Sequence, residues 1–326
     1  MTQIRRGIRV WMAILFVAAI VLSGCTKSST PTTPAPSPEP AKKPITIALV
    51  PKLVHPFFED CRKGGDAKAK ELGVAFQWVA PPTGDPAGQV RMIEDLVSKG
   101  VSGIAISPNE PKSVEAVIAD AIAKGIKVIT FDSDSPGSKR LMYIGTDNKQ
   151  AGVVMGETLA KLVGGKGEVA IITGGLGALN LNQRIDGVKE ALAKYPDIKL
   201  VDTQGTDDDL AKGLTAAEAM LRSRPNLVGI FGISATGGPS AAKALAETEF
   251  AARRGKVKVV AFDDLQETVK GIEDGLIDAT MVQKPVQMGA LSVQWLKDII
   301  EGKAQPKNID TGVTVVNKEN LKTYTK

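Results

Sequence analysis

An α/β fold of two doubly wound lobes, each a parallel sheet covered by helices, is predicted from three observations. Short apolar runs alternate with amphipathic stretches from residue 45 onward. The apolar runs are nearly continuous, the pattern of strands buried on both faces. The rhythm occurs twice, and the stretch from Ile45 to Lys326 is long enough for two such lobes.

Taken in order, Ile45–Val50 reads as a strand and Glu59–Leu72 as a helix. Val74–Val79, Gly103–Ile106 and Lys127–Phe131 are strands, separated by helices at Ala87–Ser98 and Lys112–Ala123. Leu141–Ile144 leads into a helix near Gln150–Val163. The second round pairs strands Glu168–Ile172, Lys199–Thr203, Leu227–Phe231, Val257–Phe262 and Ala279–Gln283 with helices. Those helices lie near Gln183–Lys194, Asp208–Leu221, Ser240–Glu249, Gln266–Glu273 and Val286–Glu301. In open α/β sheets ligands bind beyond the carboxyl ends of the strands. Function is therefore sought in the residues just after each strand.

The N-terminus sets the compartment. Arg5, Arg6 and Arg9 precede the apolar run Trp11–Leu22, which is too short for a comfortable membrane span. Leu22-Ser23-Gly24-Cys25 then places small residues before a cysteine, as in a lipoprotein signal. Residues 1–25 are read as that signal, with Cys25 the acceptor of the lipid and the mature N-terminus. Residues 26–44 carry Pro31, Pro34, Pro36, Pro38, Pro40 and Pro44 among Ser, Thr and Ala, which makes an extended linker. The expected location is extracytoplasmic, anchored to a membrane through Cys25. After lipidation only Cys61 remains, so no internal disulfide can form and packing must supply stability. The formal net charge of +5 is mild and no Lys/Arg run carries interleaved aromatics, so no nucleic-acid surface is expected.

The strand ends carry polar and aromatic chemistry. Pro56-Phe57-Phe58 follows the first strand in a chain with only 4% aromatics. An aromatic face packs well on the C–H face of a sugar ring, although either ring could instead plug the core. Asp132 and Asp263 each follow a strand ending in Phe, one in each half. A carboxylate there could accept from two vicinal hydroxyls, or cap the next helix. Arg184 offers a planar fork to a ring oxygen and hydroxyl, or an ion pair to Asp186. Gln283 can donate and accept. His55 is the only histidine, so a metal cluster or a Ser-His-Asp triad has little to build on; its ring could donate or accept a hydrogen bond, or punctuate the turn.

Other motifs are incomplete. Gly174-Gly175-Leu176-Gly177 lacks the third glycine of a dinucleotide fingerprint. The stretch Asp132-Ser133-Asp134-Ser135-Pro136-Gly137 resembles a calcium loop but has Pro136 at its fifth position and Tyr143 at its twelfth. GxSxG, HExxH and Walker A sequences are absent. An enzyme is not expected, nor are a cofactor, a metal site or catalytic residues.

In this order the landmarks resemble the periplasmic sugar-binding proteins of ABC importers, of the ribose-binding type. They are Pro56-Phe57-Phe58, Ile129-Thr130-Phe131-Asp132, Gly145-Thr146-Asp147-Asn148, Arg184 with Gly187, Phe262-Asp263, and Ala279-Thr280-Met281-Val282-Gln283. The resemblance implies a type I periplasmic binding protein. Its lobes would comprise 45–146 plus 285–309, and 147–284 plus 310–326. They would be joined by three crossing strands near Thr146–Asn148, Lys284–Pro285 and Asn308–Gly312. It implies a monomer that closes on a sugar and docks on a permease driven by a separate ATPase subunit. By resemblance Phe57 and Phe58 edge the sugar, Asp132 and Asp263 accept, Arg184 donates, and Gln283 sits near the hinge. Ser133 stands where the ribose pattern has an arginine, and His55, Ser234 and Ser107 where it has asparagines. A second resemblance, to the autoinducer-2 binding protein, rests on Lys52, Asp132 and Ala235, with Asn180, Leu181 and Ile233 departing from it. The candidate ligand-binding set is Lys52, His55, Phe57, Phe58, Ser107, Asp132, Ser133, Thr146, Arg184, Asp208, Ser234, Asp263 and Gln283. The runner-up function is an autoinducer-2 or chemosensory receptor of the same fold.

Overall fold

The computed structural model describes residues 43–324. The signal, Cys25 and nearly all of the proline-rich linker lie outside the described residues. The first lobe opens with β1 (Thr46–Val50), α1 (Pro56–Leu72), β2 (Ala75–Trp78), α2 (Pro86–Lys99) and β3 (Gly103–Ile106). It continues through α3 (Glu115–Ala123), β4 (Lys127–Phe131) and β5 (Tyr143–Gly145). The chain then crosses to the second lobe. There it forms α4 (Asn148–Leu162), β6 (Gly167–Thr173), α5 (Leu179–Leu192), β7 (Ile198–Gly205) and α6 (Leu210–Ser223). After these come β8 (Leu227–Gly232), α7 (Gly237–Ala246), a short 3-10 helix (Thr248–Arg253), β9 (Lys258–Phe262), α8 (Gln266–Glu273) and β10 (Ala279–Val282). It returns for α9 (Pro285–Ile300) and β11 (Ile309–Asp310), and crosses a last time to β12 (Thr314–Asn317).

The first sheet has the order β11-β5-β4-β3-β1-β2 and the second β12-β10-β9-β8-β6-β7. Every pairing is parallel except β12, which runs antiparallel to β10 at the sheet edge. That edge strand and β11 escape the sequence pattern because each is short and only partly buried. Successive strand residues feed opposite faces. Ile47, Leu49 and Ile129 pack beneath α1 and α9, while Ala48, Val50 and Val128 pack against α2 and α3. In the second lobe Val169, Ile171 and Phe262 pack towards α4 and α5, and Ala170, Ile172 and Ala261 towards α6 and α7. Continuous apolar strands are the result of this two-sided burial.

Several expected helix starts shift, and two of the shifts bear on the cleft. α1 begins at Pro56, not Glu59, so Phe57 and Phe58 lie in its first turn rather than in a loop. Pro56 suits this place because its missing N–H needs no partner there. α5 begins at Leu179, which sets Arg184 in its second turn. Later, α3 starts only at Glu115, and α7 ends at Ala246 before the 3-10 turn.

The backbone of α5 presses on α4. A Cβ on Gly152 would lie 2.1 Å from the Arg184 carbonyl oxygen, and one on Gly187 would lie 2.1 Å from that of Lys149. The absence of side chains at these two positions fixes how deeply Arg184 is carried into the lobe. Gly187→Ala is therefore expected to force the helices apart and to lower stability by about 2–4 kcal/mol. Urea unfolding checks this; a change below about 0.5 kcal/mol would show that the crossing relaxes freely.

Candidate functional site

One cavity of about 50 Å³ lies between the lobes. In both sheets the strand order reverses at the first strand, the switch point where open sheets leave a crevice. The first lobe lines the cavity with Lys52, Leu53, His55, Phe57, Phe58 and Asp132. The second contributes Asn180, Leu181, Arg184, Asp208, Ser234, Ala235 and Asp263, and Gln283 joins them from the crossing segment after β10.

The two Phe-Asp strand ends are built alike. Asp132 and Asp263 adopt left-handed backbone, φ 57° and 63°, a conformation that Asp tolerates better than most residues. The Asp132 N–H donates to the Ile144 carbonyl at 3.0 Å, and the Asp263 N–H to that of Met281 at 2.8 Å. Neither aspartate caps a helix. Each turn lifts a carboxylate over the sheet end, one from each lobe.

At the first-lobe end, Asp132 Oδ2 accepts from Ser107 Oγ at 2.7 Å and lies 3.7 Å from Lys52 Nζ. Lys52 Nζ donates across the cleft to Asn180 Oδ1 at 2.7 Å, and Asn180 Nδ2 approaches Asp132 Oδ1 at 3.5 Å. Burial lowers the Lys52 pKa, opposed by the charges of Asp132 and Asp208. Gln89 braces the loops behind, donating to the carbonyls of Pro51 and Ser107 and accepting from the Asn109 N–H.

At the second-lobe end, the Arg184 guanidinium lies 3.6 Å from the ring centroid of Phe262. Its Nε donates to Asn148 Oδ1 at 2.9 Å and its Nη1 to the Ile233 carbonyl at 3.1 Å. Its Nη2 is buried with no hydrogen-bond partner among the described residues. Asp263 Oδ1 accepts from Gln283 Nε2 at 3.1 Å, and Gln283 Oε1 accepts from Thr146 Oγ1 at 2.9 Å. Burial raises the Asp263 pKa to about 7, against the opposing pull of Arg184 and the Gln283 hydrogen bond. Tyr143 ties the first crossing: its hydroxyl bridges the carbonyls of Asp132 and Thr146 at 2.8 and 3.1 Å.

The aromatic pair forms one wall. Phe57 and Phe58 meet edge to face at 5.2 Å, and Phe58 meets Phe131 in the same manner at 6.3 Å. Both rings touch the core and the cavity, so the two readings of the pair are not exclusive. His55 is the N-cap of α1; its Nδ1 accepts from the Phe57 N–H at 3.2 Å. Burial lowers its pKa, and the neutral ring thus carries its proton on Nε2.

Ten of the thirteen candidate residues line this cavity, and Ser107, Ser133 and Thr146 do not. Ser107 and Thr146 hold lining side chains in place, as described. Ser133 is buried, with its Oγ unpartnered among the described residues. Asp208 precedes α6, which begins two residues later than expected at Leu210, with Asp209 as its cap. Sequence reasoning omitted Asn180, Leu181, Leu53 and Ala235 from the set. Ala235, Asn180 and Leu181 were marked only by the comparison with the autoinducer-2 site, and Leu53 by its position just after the first strand. The partial calcium-loop pattern is a turn in which Asp134 accepts from Thr130 Oγ1 and Arg140 Nε, both at 2.6 Å. Cys61 is buried in α1, and burial raises its thiol pKa well above the ordinary value.

Residues 47–304 match the family described as periplasmic binding protein domain. The D-allose-binding periplasmic protein of Escherichia coli (strain K12) is 33% identical over 255 residues, 76% of this chain and 81% of that protein. The ribose import binding protein RbsB of Bacillus subtilis (strain 168) is 28% identical over 298 residues, 91% of this chain and 94% of that one. A crystal structure of an ABC transporter solute-binding protein from Burkholderia graminis, in complex with D-arabinose, is 58% identical. It superposes with a TM-score of 0.85 over 86% of this chain and 98% of that one. With two lobes, a cleft at both switch points and a match spanning most of its length, this chain belongs to the periplasmic binding protein family, and within it to the ribose-binding type.

Proposed function

We propose that this protein captures a free monosaccharide outside the cytoplasm and delivers it to the permease of an ABC importer. The observation that carries the reading is the pair of carboxylates, Asp132 and Asp263, set in matching left-handed turns on opposite lobes and facing one cavity. Carboxylates accept from vicinal hydroxyls, Arg184 brings an unspent N–H, and the Phe57–Phe58 wall offers an apolar face for ring C–H groups. Contacts from both lobes favour the closed form, so solute binding shifts an open–closed equilibrium about the three crossings. ATP hydrolysis belongs to a separate subunit. Lipid on Cys25 would hold the protein at a membrane, with residues 26–44 as the spacer.

D-arabinose is the first sugar to test, because the 58% identical structure holds it. Calorimetric titration of the full chain should give saturable binding of D-arabinose, with D-ribose and D-allose as comparisons. A ligand at 100 times its Kd should also add about 2.7 kcal/mol of stability, a clear thermal shift. Asp132→Ala should weaken binding by on the order of 100-fold, since it removes the acceptor and strands the buried Lys52 ammonium. Binding of autoinducer-2 but of none of these sugars would transfer the assignment to a receptor. Silence towards all four ligands from folded protein stripped of bound solute would overturn the reading.

A further inference from the structure

The contacts at the two ends of the cavity differ in kind. At the Asp263 end the donors and acceptors that meet one another come from the second lobe and the crossings, and Arg184 Nη2 stays unspent among the described residues. At the Asp132 end the protein bonds to itself across the cleft. Lys52 belongs to the loop after β1 in the first lobe, and Asn180 to the first turn of α5 in the second. Their 2.7 Å bond is charge-assisted and buried, with Lys52 at 7% and Asn180 at 3% exposure. Asn180 turns its two amide atoms to opposite charges: Oδ1 to the Lys52 ammonium, and Nδ2 towards the Asp132 carboxylate. An amide is the side chain suited to this place. A carboxylate would repel Asp132, and an apolar group would leave the buried ammonium without its cross-cleft acceptor.

We infer that Lys52 and Asn180 are positioning residues that clasp the two lobes, setting how long a bound solute is held. The Lys52–Asn180 bond joins side chains of the two lobes directly, so it needs no bridging solute to form. It stabilises the closed arrangement. Buried bonds that must break before the cleft opens act on dissociation, whereas association begins from the open form and is little changed. A hydrogen bond to a charged group of this kind corresponds to a change of about 10-fold or more in the closed population. The inference rests on the reading that the cleft takes a solute, but its first test needs none.

That test is an interlobe distance measurement on the full chain carrying Cys25→Ser. Spin labels are placed at Thr83→Cys and Gln204→Cys, which are exposed positions on the first and second lobes. Cys61 is buried and remains unlabelled. Without any sugar, the parent protein should show a short-distance fraction that falls about 10-fold in Asn180→Leu and in Lys52→Met. The two losses should be non-additive in the double variant, since either change alone breaks the same bond. A merely structural role would lower the melting temperature of each variant without this non-additivity. If Asn180→Leu does not fold, Lys52→Met alone carries the comparison. With D-arabinose, the variants should show dissociation about 10-fold faster and association within about twofold of the parent. Distance distributions that match in parent and variants overturn the clasp while leaving solute capture intact. Absence of sugar binding alongside a clasp-dependent distance change overturns the sugar reading alone.

Discussion

Arg184→Met should reduce sugar affinity by on the order of 1,000-fold in a protein that still folds. Arg184 is 2% exposed and spends its fork on three different surfaces. The ring of Phe262 supports its plane, Asn148 and the Ile233 carbonyl hold Nε and Nη1, and Nη2 has no hydrogen-bond partner among the described residues. Methionine keeps the apolar stem over Phe262 and removes every donor. Asn148 Oδ1 and the Ile233 carbonyl would then lose their partner, at about 1–3 kcal/mol each if no water replaces it. The larger loss falls on binding. Without Arg184 the cavity keeps the carboxylates of Asp132, Asp208 and Asp263 against the single ammonium of Lys52. Arg184→Lys should rescue little, because a point charge cannot make the stacked, forked set of contacts. Calorimetric titration with D-arabinose, beside a thermal melt showing a folded variant, measures the effect. Binding within 10-fold of the parent would remove Arg184 from the solute's partners.

Much of this arrangement was legible in the residues because it follows from short-range rules. Phe131-Asp132 and Phe262-Asp263 stand out as strand ends followed by a carboxylate, and the parallel sheets follow from continuous apolar runs such as Val128-Ile129-Thr130-Phe131. What escaped depends on contacts distant in the chain. Asn180, in Ala178-Leu179-Asn180-Leu181-Asn182, stood out in the sequence only as a departure from the autoinducer-2 site; its partner emerges when folding brings Lys52 to it. Ser107 joined the candidate set through its place in the ribose pattern, and Thr146 through the landmark Gly145-Thr146-Asp147-Asn148. The folded chain bonds them to Asp132 and Gln283, two side chains that line the cavity. β12 pairs antiparallel with β10 as a four-residue edge, too brief to leave a period in the sequence. The first turn of α1 was missed because Phe57 and Phe58 read as loop aromatics. Pro56 at the first helical position and His55 as cap were the available signals.

The second large effect concerns Asp263, which should couple stability and sugar binding to pH. Burial raises its pKa from 3.8 to about 7 in the folded protein. Below pH 3.8 both folded and unfolded chains carry the neutral acid, and the group does not oppose folding. Between about pH 4 and 7 the unfolded chain is ionised while the folded one keeps its proton. The folded state then binds more protons, so stability falls as pH rises across that window. Above about pH 7 the folded protein carries the buried charge too, at a cost of about 4 kcal/mol relative to low pH. Asp263→Asn removes this term, so the difference in urea stability between variant and parent should grow in the variant's favour from pH 4 to pH 8. Binding should respond with the opposite sign. Sugar hydroxyls donate to the ionised carboxylate, so affinity for D-arabinose should rise from pH 5 to pH 7.5 and then level off. Calorimetry at pH 6 in two buffers of different ionisation enthalpy should register proton release on binding. Asp263→Asn should bind more weakly, with a flat pH profile and no linked proton. A stability difference and an affinity that both ignore pH would show that Asp263 keeps one protonation state across this range, and that its charge is not the switch for sugar capture.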